Sequence, residues 1–113
     1  MEPRLPAHLE VSALVRQVSA EGGFAMVLRK GEREAGTILV VIQENGANAR
    51  VYERMPGVDG SRIWHCAKRQ TNENAEEFLS WLDRRGSQDG DLWIVELDIA
   101  NGERFIGLTD KQG

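Results

Sequence analysis

The chain has 113 residues, of which 41% are hydrophobic and 28% charged. This composition is too apolar for a disordered chain and too polar for a membrane-spanning one, so we expect one soluble domain over residues 1–113. The single cysteine excludes an internal disulfide and any multi-cysteine metal site. The net charge of −4 disfavours nonspecific binding to nucleic acid.

The charge is unevenly distributed along the chain. Residues 1–69 carry ten basic and eight acidic side chains, whereas residues 70–113 carry four and ten. Either the two halves fold together and their charges average out, or the second half presents an acidic face to a basic partner. Residues 1–6 lack the pattern of a secretory signal, and no apolar run approaches the ~18 residues of a membrane span. Together with the lone Cys66, this predicts a cytoplasmic protein.

The first predicted elements are a helix and four strands. After an irregular lead-in over residues 1–6, apolar residues recur at helical spacing until Gly22-Gly23, which predicts a helix over residues 7–21. Turn-forming residues then divide the chain into short apolar or alternating runs. These runs predict a meander of four strands, although a later strand inserted among them satisfies the same pattern: 24–29, 37–43, 50–55 and 61–67.

The rest of the chain predicts a second helix and a fifth strand. The helix begins after Asn72 or Asn74, either of which suits the N-cap, and Gly86 is expected to end it. Residues 92–97 form the fifth strand, residues 104–108 a short last segment, and residues 109–113 a disordered tail. The predicted fold class is α+β, a largely antiparallel sheet of about five strands with two helices in the order α-β-β-β-β-α-β.

No pattern of catalytic residues stands out. The sequence has no phosphate loop, dinucleotide fingerprint, nucleophile elbow or paired-histidine metal motif, so we expect no cofactor, no metal and a noncatalytic protein. His65 and Cys66 are adjacent, but on a strand their side chains point to opposite faces and form no catalytic pair. Cys66 is therefore interpreted as a small core residue.

Four polar residues are the candidates for a ligand site. Glu96 and Asp98 fall on one face of the fifth strand, where they either bind a cation or basic partner or are simply solvated. His65 and Arg29 complete the set, Arg29 within the basic turn that also holds Lys30. A small-ligand site near the fifth strand requires these groups to converge in one pocket.

Apolar residues on both faces of several strands point instead to an interaction module. In the first strand, Phe24, Met26 and Leu28 alternate with Ala25 and Val27. Two helices suffice for one sheet face, so the apolar residues left over predict a homodimer or a protein partner. The three tryptophans are interpreted mainly as core. A third possibility, nucleic-acid binding, rests on a row of basic residues that lacks interleaved aromatics: Arg50, Arg54, Arg62, Lys68 and Arg69.

Three segments resemble one known family. Residues 24–31 (FAMVLRKG) follow the helix-ending glycines, residues 35–40 (AGTILV) follow next, and residues 91–97 (DLWIVEL) are similar to an Asp-Leu-Trp-Val-Val-Glu signature. The chain resembles the domain of unknown function family 1491, which consists of small uncharacterised alphaproteobacterial proteins. The resemblance spans about residues 4–108. It implies a bacterial, cytoplasmic protein of unassigned function, and it supplies no catalytic residues.

Overall fold

The computed structural model describes residues 5–56, 62–71 and 73–108. The described residues form two helices, five strands and a 3₁₀ helix, the helices and strands follow the predicted order α-β-β-β-β-α-β, and the fold class is α+β. The elements in chain order are α1 (Ala7–Ala20), β1 (Phe24–Arg29), β2 (Ile38–Glu44), β3 (Ala47–Pro56), β4 (Arg62–Arg69), α2 (Ala75–Gln88), β5 (Trp93–Asp98) and the 3₁₀ helix (Gly102–Ile106).

The five strands form one mixed sheet in the order β1-β5-β2-β3-β4. Three of its four pairs are antiparallel, and β5 runs parallel to β2. Of the two arrangements that the sequence left open, the plain four-strand meander is wrong and the inserted fifth strand is confirmed, because β5 lies between β1 and β2. The segment joining these two strands crosses the start of β5 instead of turning tightly: Glu32 N–H donates to the Asp91 carbonyl, and Trp93 N–H to the Thr37 carbonyl.

One helix covers each face of the sheet, which differs from the expectation that both helices share a face. β2 and β5 are two of the three inner strands, and their side chains alternate between two buried clusters. The cluster under α1 contains Val11, Leu14, Val18, Ile38, Val40, Ile42, Val95 and Leu97. The cluster under α2 contains Leu39, Val41, Val51, Phe78, Leu82, Leu92 and Ile94.

The two helices end differently from one another. α1 ends as predicted: Gly22 adopts a left-handed φ of +88°, and the N–H groups of Gly22 and Gly23 donate to carbonyls of the last turn. α2 does not end at Gly86 but continues to Gln88. Gly86 is buried there, and a Cβ atom at this position would lie 2.6 Å from Cδ of Arg29. This glycine therefore makes room for a side chain from β1.

Several sequence predictions lie outside the described residues. They are the first part of the lead-in, the Gly57–Gly60 part of the turn after β3, Asn72 as N-cap and the tail at residues 109–113. Asn74 occupies the N-cap position of α2, but its side chain makes no capping hydrogen bond. It instead accepts from Thr71 N–H and donates to the Arg69 carbonyl, which holds the turn between β4 and α2.

Candidate functional site

The structure brings two of the four candidate residues together and gives one of them a structural task. Glu96 and Asp98 lie on the α2 face of β5, as the strand alternation predicts. The Asp98 carboxylate accepts hydrogen bonds from the backbone N–H groups of Asn45 and Gly46, at 2.7 and 3.0 Å. Asp98 thus closes the turn between β2 and β3.

Arg29 and His65 lie apart from each other on that same face. Arg29 is at the end of β1, where a bulge aligns it with Ile94 and its side chain packs over Gly86 of α2. His65 is exposed on β4, three strands away from β5, which is roughly 14 Å at the usual strand spacing. Among the described residues, no hydrogen bond joins any two of the four candidates.

Glu96 occupies an environment that disfavours its charge. It is half-buried in β5 directly beside Met26 of β1. Partial burial, and to a smaller degree the neighbouring carboxylate of Asp98, raise the pKa of Glu96 above its ordinary value.

His65 and Cys66 are separated by the sheet. Cys66 pairs with Tyr52 and packs against the cluster under α1, whereas His65 pairs with Glu53 on the other face. The two side chains therefore form no thiolate–imidazole pair, as the alternation along the strand predicts.

The basic residues Arg50 and Arg54 of β3 form ion pairs with carboxylates. Arg50 donates from Nε and Nη2 to Glu103 of the 3₁₀ helix, at 2.6 and 2.8 Å, and Tyr52 Oη donates to the same carboxylate at 2.9 Å. These bonds hold the pKa of Glu103 at about 2, with the Arg50 hydrogen bonds as the largest cause. The hydrogen bond to Glu103 raises the pKa of Arg50, whereas burial and, to a smaller degree, the hydrogen bond to Glu103 raise the pKa of Tyr52.

Arg54 is held in a similar way, in a cleft of about 510 Å³ between α1, β4 and the 3₁₀ helix. Its guanidinium donates to both oxygens of Glu10 in α1, and it lies 4.9 Å from the ring centre of Trp64. Lys68 pairs with Glu77 of α2. Three members of the basic row considered for nucleic acid thus already have acidic partners, which leaves little charge there for phosphates.

The edge of the sheet at β1 carries exposed apolar side chains, in contrast to the paired charges of β3. Phe24, Met26 and Leu28 point to the α2 face and are exposed by 78%, 58% and 44%. Leu79 of α2, 63% exposed, faces Leu28 across a shallow groove. We call these four residues the apolar strip. It lies beside the outer edge of β1, which has no hydrogen-bonded strand among the described residues.

The α1 side of the same strand carries a second feature, an open groove of about 920 Å³. Its floor is apolar, and its rim carries basic side chains from α1 and from the loop after β1. We call it the basic groove. The floor comprises Val11, Val15, Val27 and Trp93, and the rim comprises His8, Leu9, Ser12, Arg16, Lys30 and Arg33.

Sequence reasoning found the apolar residues of β1 but missed the basic groove. The sequence predicts a basic turn that holds Arg29, Lys30 and Arg33, but it does not place His8 and Arg16 of α1 beside that turn. The missed signal is the position of these residues around the helix: His8, Ser12 and Arg16 recur every four residues on one flank of α1, so they share one side. Which structure that flank faces depends on the insertion of β5.

The described ranges contain neither a metal-binding cluster nor a membrane-spanning helix. No group of three or more histidine, cysteine, aspartate or glutamate side chains there is arranged to hold a metal ion. None of the described helices combines the length and apolar character needed to cross a membrane.

The fold and the β1 edge define a small α+β protein with a mixed five-stranded sheet between two helices. The family model "Protein of unknown function (DUF1491)" matches residues 5–107, and the chain belongs to this family. The chain is also similar to a crystal structure of a DUF1491 family protein from Caulobacter crescentus CB15, with 31% identity and a TM-score of 0.80. That match covers 94% of this chain and 98% of the other.

Two solution structures show the same similarity. An NMR structure of a DUF1491 family protein from Caulobacter crescentus CB15 has 31% identity and a TM-score of 0.76, over 92% of this chain and 94% of the other. The protein Atu0922 from A. tumefaciens also has 31% identity, with a TM-score of 0.67 over 86% and 87% of the two chains. No curated protein matches the chain.

Proposed function

We propose that the protein is a noncatalytic interaction module that associates through the edge of β1, with a second copy of the chain as its partner. The observation that carries this proposal is the apolar strip. Phe24 alone is 78% exposed, and a contiguous exposed apolar patch on a soluble protein commonly marks an interaction site. β1 also carries no charged residue before Arg29 at its end, and an uncharged stretch of edge strand is the usual point at which another strand is added.

The spacing of the apolar residues suits self-association. If two copies of β1 pair antiparallel about Met26, Phe24 of one copy lies opposite Leu28 of the other, on one face of a continuous ten-stranded sheet. On the other face, Ala25 of one copy lies opposite Val27 of the other. Each pair of opposing residues is therefore apolar on both faces of the sheet. Pairing through a six-residue strand buries less surface than the ~800 Å² per partner of a standard interface. We therefore expect weak, concentration-dependent association.

The alternative, a small-ligand site or enzyme near β5, has less support. It requires Glu96, Asp98, His65 and Arg29 to converge. Asp98 is engaged by the β2–β3 turn, Arg29 packs against α2, and His65 lies three strands away from β5. We further propose that the module works in the bacterial cytoplasm, which suits a chain whose lone Cys66 has no partner for an internal disulfide.

Sedimentation velocity across a concentration series into the high micromolar range tests the proposal. We expect the wild type to pass from monomer towards dimer as concentration rises, and Met26→Lys to remain monomeric because it places a charge at the centre of the proposed interface. The matched control is Ile63→Lys, which introduces the same charge at a 54% exposed position on the opposite edge strand, β4. This control should associate like the wild type.

Two results would overturn the proposal. One is a wild type that stays monomeric at the highest concentration. The other is association that Ile63→Lys abolishes and Met26→Lys does not, because that result would assign the interface to β4.

A further inference from the structure

The basic groove brings cationic side chains without ion pairs together over an apolar floor. Arg29, Arg69 and Arg84 are exposed and form no ion pair with a described residue either, so the grouping of such cations distinguishes the groove. Arg50, Arg54, Lys68, Arg85 and Arg104 each form an ion pair with a glutamate. In contrast, the cationic rim residues of the groove, Arg16, Lys30 and Arg33, form none with any described residue, and all three are exposed. An uncompensated cationic groove in a chain of net charge −4 points to an anionic ligand.

The acidic residues nearest in sequence do not neutralise the rim. The Glu32 carboxylate accepts hydrogen bonds from the N–H groups of Glu34 and Ala35, at 3.0 and 2.7 Å, and is thereby turned onto its own loop. Glu34 lines a different cleft, on the Glu10 side of α1. Neither glutamate of this loop therefore forms an ion pair with a described cation of the rim.

One rim cation is held in place. His8 Nδ1 donates to the Arg33 carbonyl at 3.0 Å, so its Nε2 accepts from Arg33 Nη2 at 3.1 Å. The backbone N–H of His8 also donates to the Arg33 carbonyl, at 2.9 Å. These bonds fix the loop against the start of α1 and orient the guanidinium at the rim, which lowers the entropic cost of binding an anion.

The floor and shape of the groove restrict the ligand further. Val15 and Val27 are half-buried on the floor, and Leu9 on the rim is 45% exposed, so the ligand has an apolar side as well as a charged one. The groove is open along α1 and does not enclose a ligand as small-molecule sites do. An open apolar groove bordered by charges is the kind of surface that receives one face of an amphipathic helix.

We propose that the basic groove binds an acidic amphipathic helix of a partner protein. Apolar residues of that helix pack on Val15, Val27 and Leu9, while its carboxylates meet Arg16 and Lys30. This inference does not rest on the self-association proposed above, because the groove lies on the α1 face of β1 and the apolar strip on the α2 face.

Fluorescence anisotropy with a labelled synthetic helix tests this inference. The probe carries leucines at every third or fourth position among glutamates, and two control peptides replace either the leucines by serine or the glutamates by lysine. We expect saturable binding of the glutamate–leucine peptide only, weakening as salt is added. The monomeric variant Met26→Lys should bind it as the wild type does, which separates this test from the dimer.

Charge-reversal variants locate the site. Arg16→Glu combined with Lys30→Glu should weaken binding by at least about tenfold, because two exposed ion pairs become repulsive. The matched control is Arg69→Glu combined with Arg84→Glu, which makes the same charge change at exposed positions outside the groove. This control should bind within about twofold of the wild type, apart from a general effect of net charge.

Three outcomes would overturn the inference. The first is no binding above the level of the serine peptide. The second is equal loss in both charge-reversal variants, which would mean nonspecific attraction. The third is displacement of the peptide by a single-stranded oligonucleotide or by a fatty acid at equal concentration, which would make a nucleic acid or a lipid the occupant.

Discussion

The α1 face of β3 and the edge at β1 use similar side chains in opposite ways. On β3, Arg50 and Arg54 each meet a carboxylate supplied by an element packed above the sheet. At β1, Arg16 and Lys30 meet no carboxylate among the described residues, and the apolar strip is exposed. Whether cations are available for a partner therefore depends less on their number in a region than on whether carboxylates of the same chain pair with them.

The difference has a physical origin in where the carboxylates are. The 3₁₀ helix places Glu103 over β3, and the inner flank of α1 places Glu10 there as well. The outer flank of α1 carries His8, Ser12 and Arg16 and no acid. One region therefore contributes to the stability of the fold, and the other remains available for a partner.

The largest expected effect is at the β3 region. Glu103→Gln should lower the free energy of unfolding by about 2 kcal/mol at pH 7, because the pKa of about 2 in the folded protein lies well below the ordinary value of 4.5 and solvent screens part of that difference. A carboxyl with a lowered pKa stabilises the fold above its unfolded pKa and loses that contribution as the pH falls. The difference between variant and wild type should therefore shrink between pH 4.5 and 2 in urea titrations.

The control for this measurement is Glu73→Gln, an exposed carboxylate without an ion pair among the described residues. It should leave the free energy of unfolding nearly unchanged across the same pH range. A pH-independent deficit in Glu103→Gln would contradict the electrostatic explanation and indicate lost packing instead.

A pair of arginine substitutions compares the two regions directly. Arg54→Met should cost about 1–2 kcal/mol of unfolding free energy, because it leaves Glu10 half-buried without its cation. Arg16→Met should change the same quantity by less than about 0.5 kcal/mol. Thermal and urea unfolding of both variants measure the difference, and equal losses would show that the two regions are not distinct.

A smaller effect is expected from a charge at the β1 edge. Met26→Lys should change the free energy of unfolding of the monomer by less than about 0.5 kcal/mol, because the side chain is mostly exposed. Urea unfolding at low micromolar concentration measures the monomer alone. A large loss there would show that the apolar strip is part of the folded core, and the association experiments with this variant would then need Phe24→Lys in its place.

The smallest effect is expected at Glu96. The pKa of Glu96 is raised in the folded protein, chiefly by burial. At pH values above the ordinary pKa of glutamate, ionisation of this side chain therefore opposes folding. Glu96→Gln should therefore be slightly more stable than the wild type at pH 7 and equal to it at low pH. Urea titrations at both pH values test this, and a loss of stability at pH 7 would indicate that the charged form makes a favourable contact.

The sequence was sufficient to predict the elements but not their arrangement. The helical period of α1 and the left-handed Gly22 are local features, so the periodicity and the glycine pair identified them. The insertion of β5 between β1 and β2 depends on a parallel pairing of distant segments, which alternation along a strand does not reveal. The continuation of α2 through Gly86 likewise depends on Arg29 from another strand.

The same limit applies to the site. Leftover apolar residues on β1 were visible in the sequence because Phe24, Met26 and Leu28 alternate with further apolar residues. The separation of His65 from Glu96 follows from the order of the strands in the sheet. The difference between basic side chains with and without ion pairs follows from which flank of α1 faces β3. Both are tertiary facts that no residue spacing encodes.

The most direct test of the central claim is a dilution series of ¹⁵N-labelled wild-type protein followed by backbone amide chemical shifts. The account predicts concentration-dependent shifts confined to β1 (Phe24–Arg29) and to Leu79 beside it, and their disappearance in Met26→Lys. Shifts that do not depend on concentration, or that appear at β4 (Arg62–Arg69) instead, would contradict it.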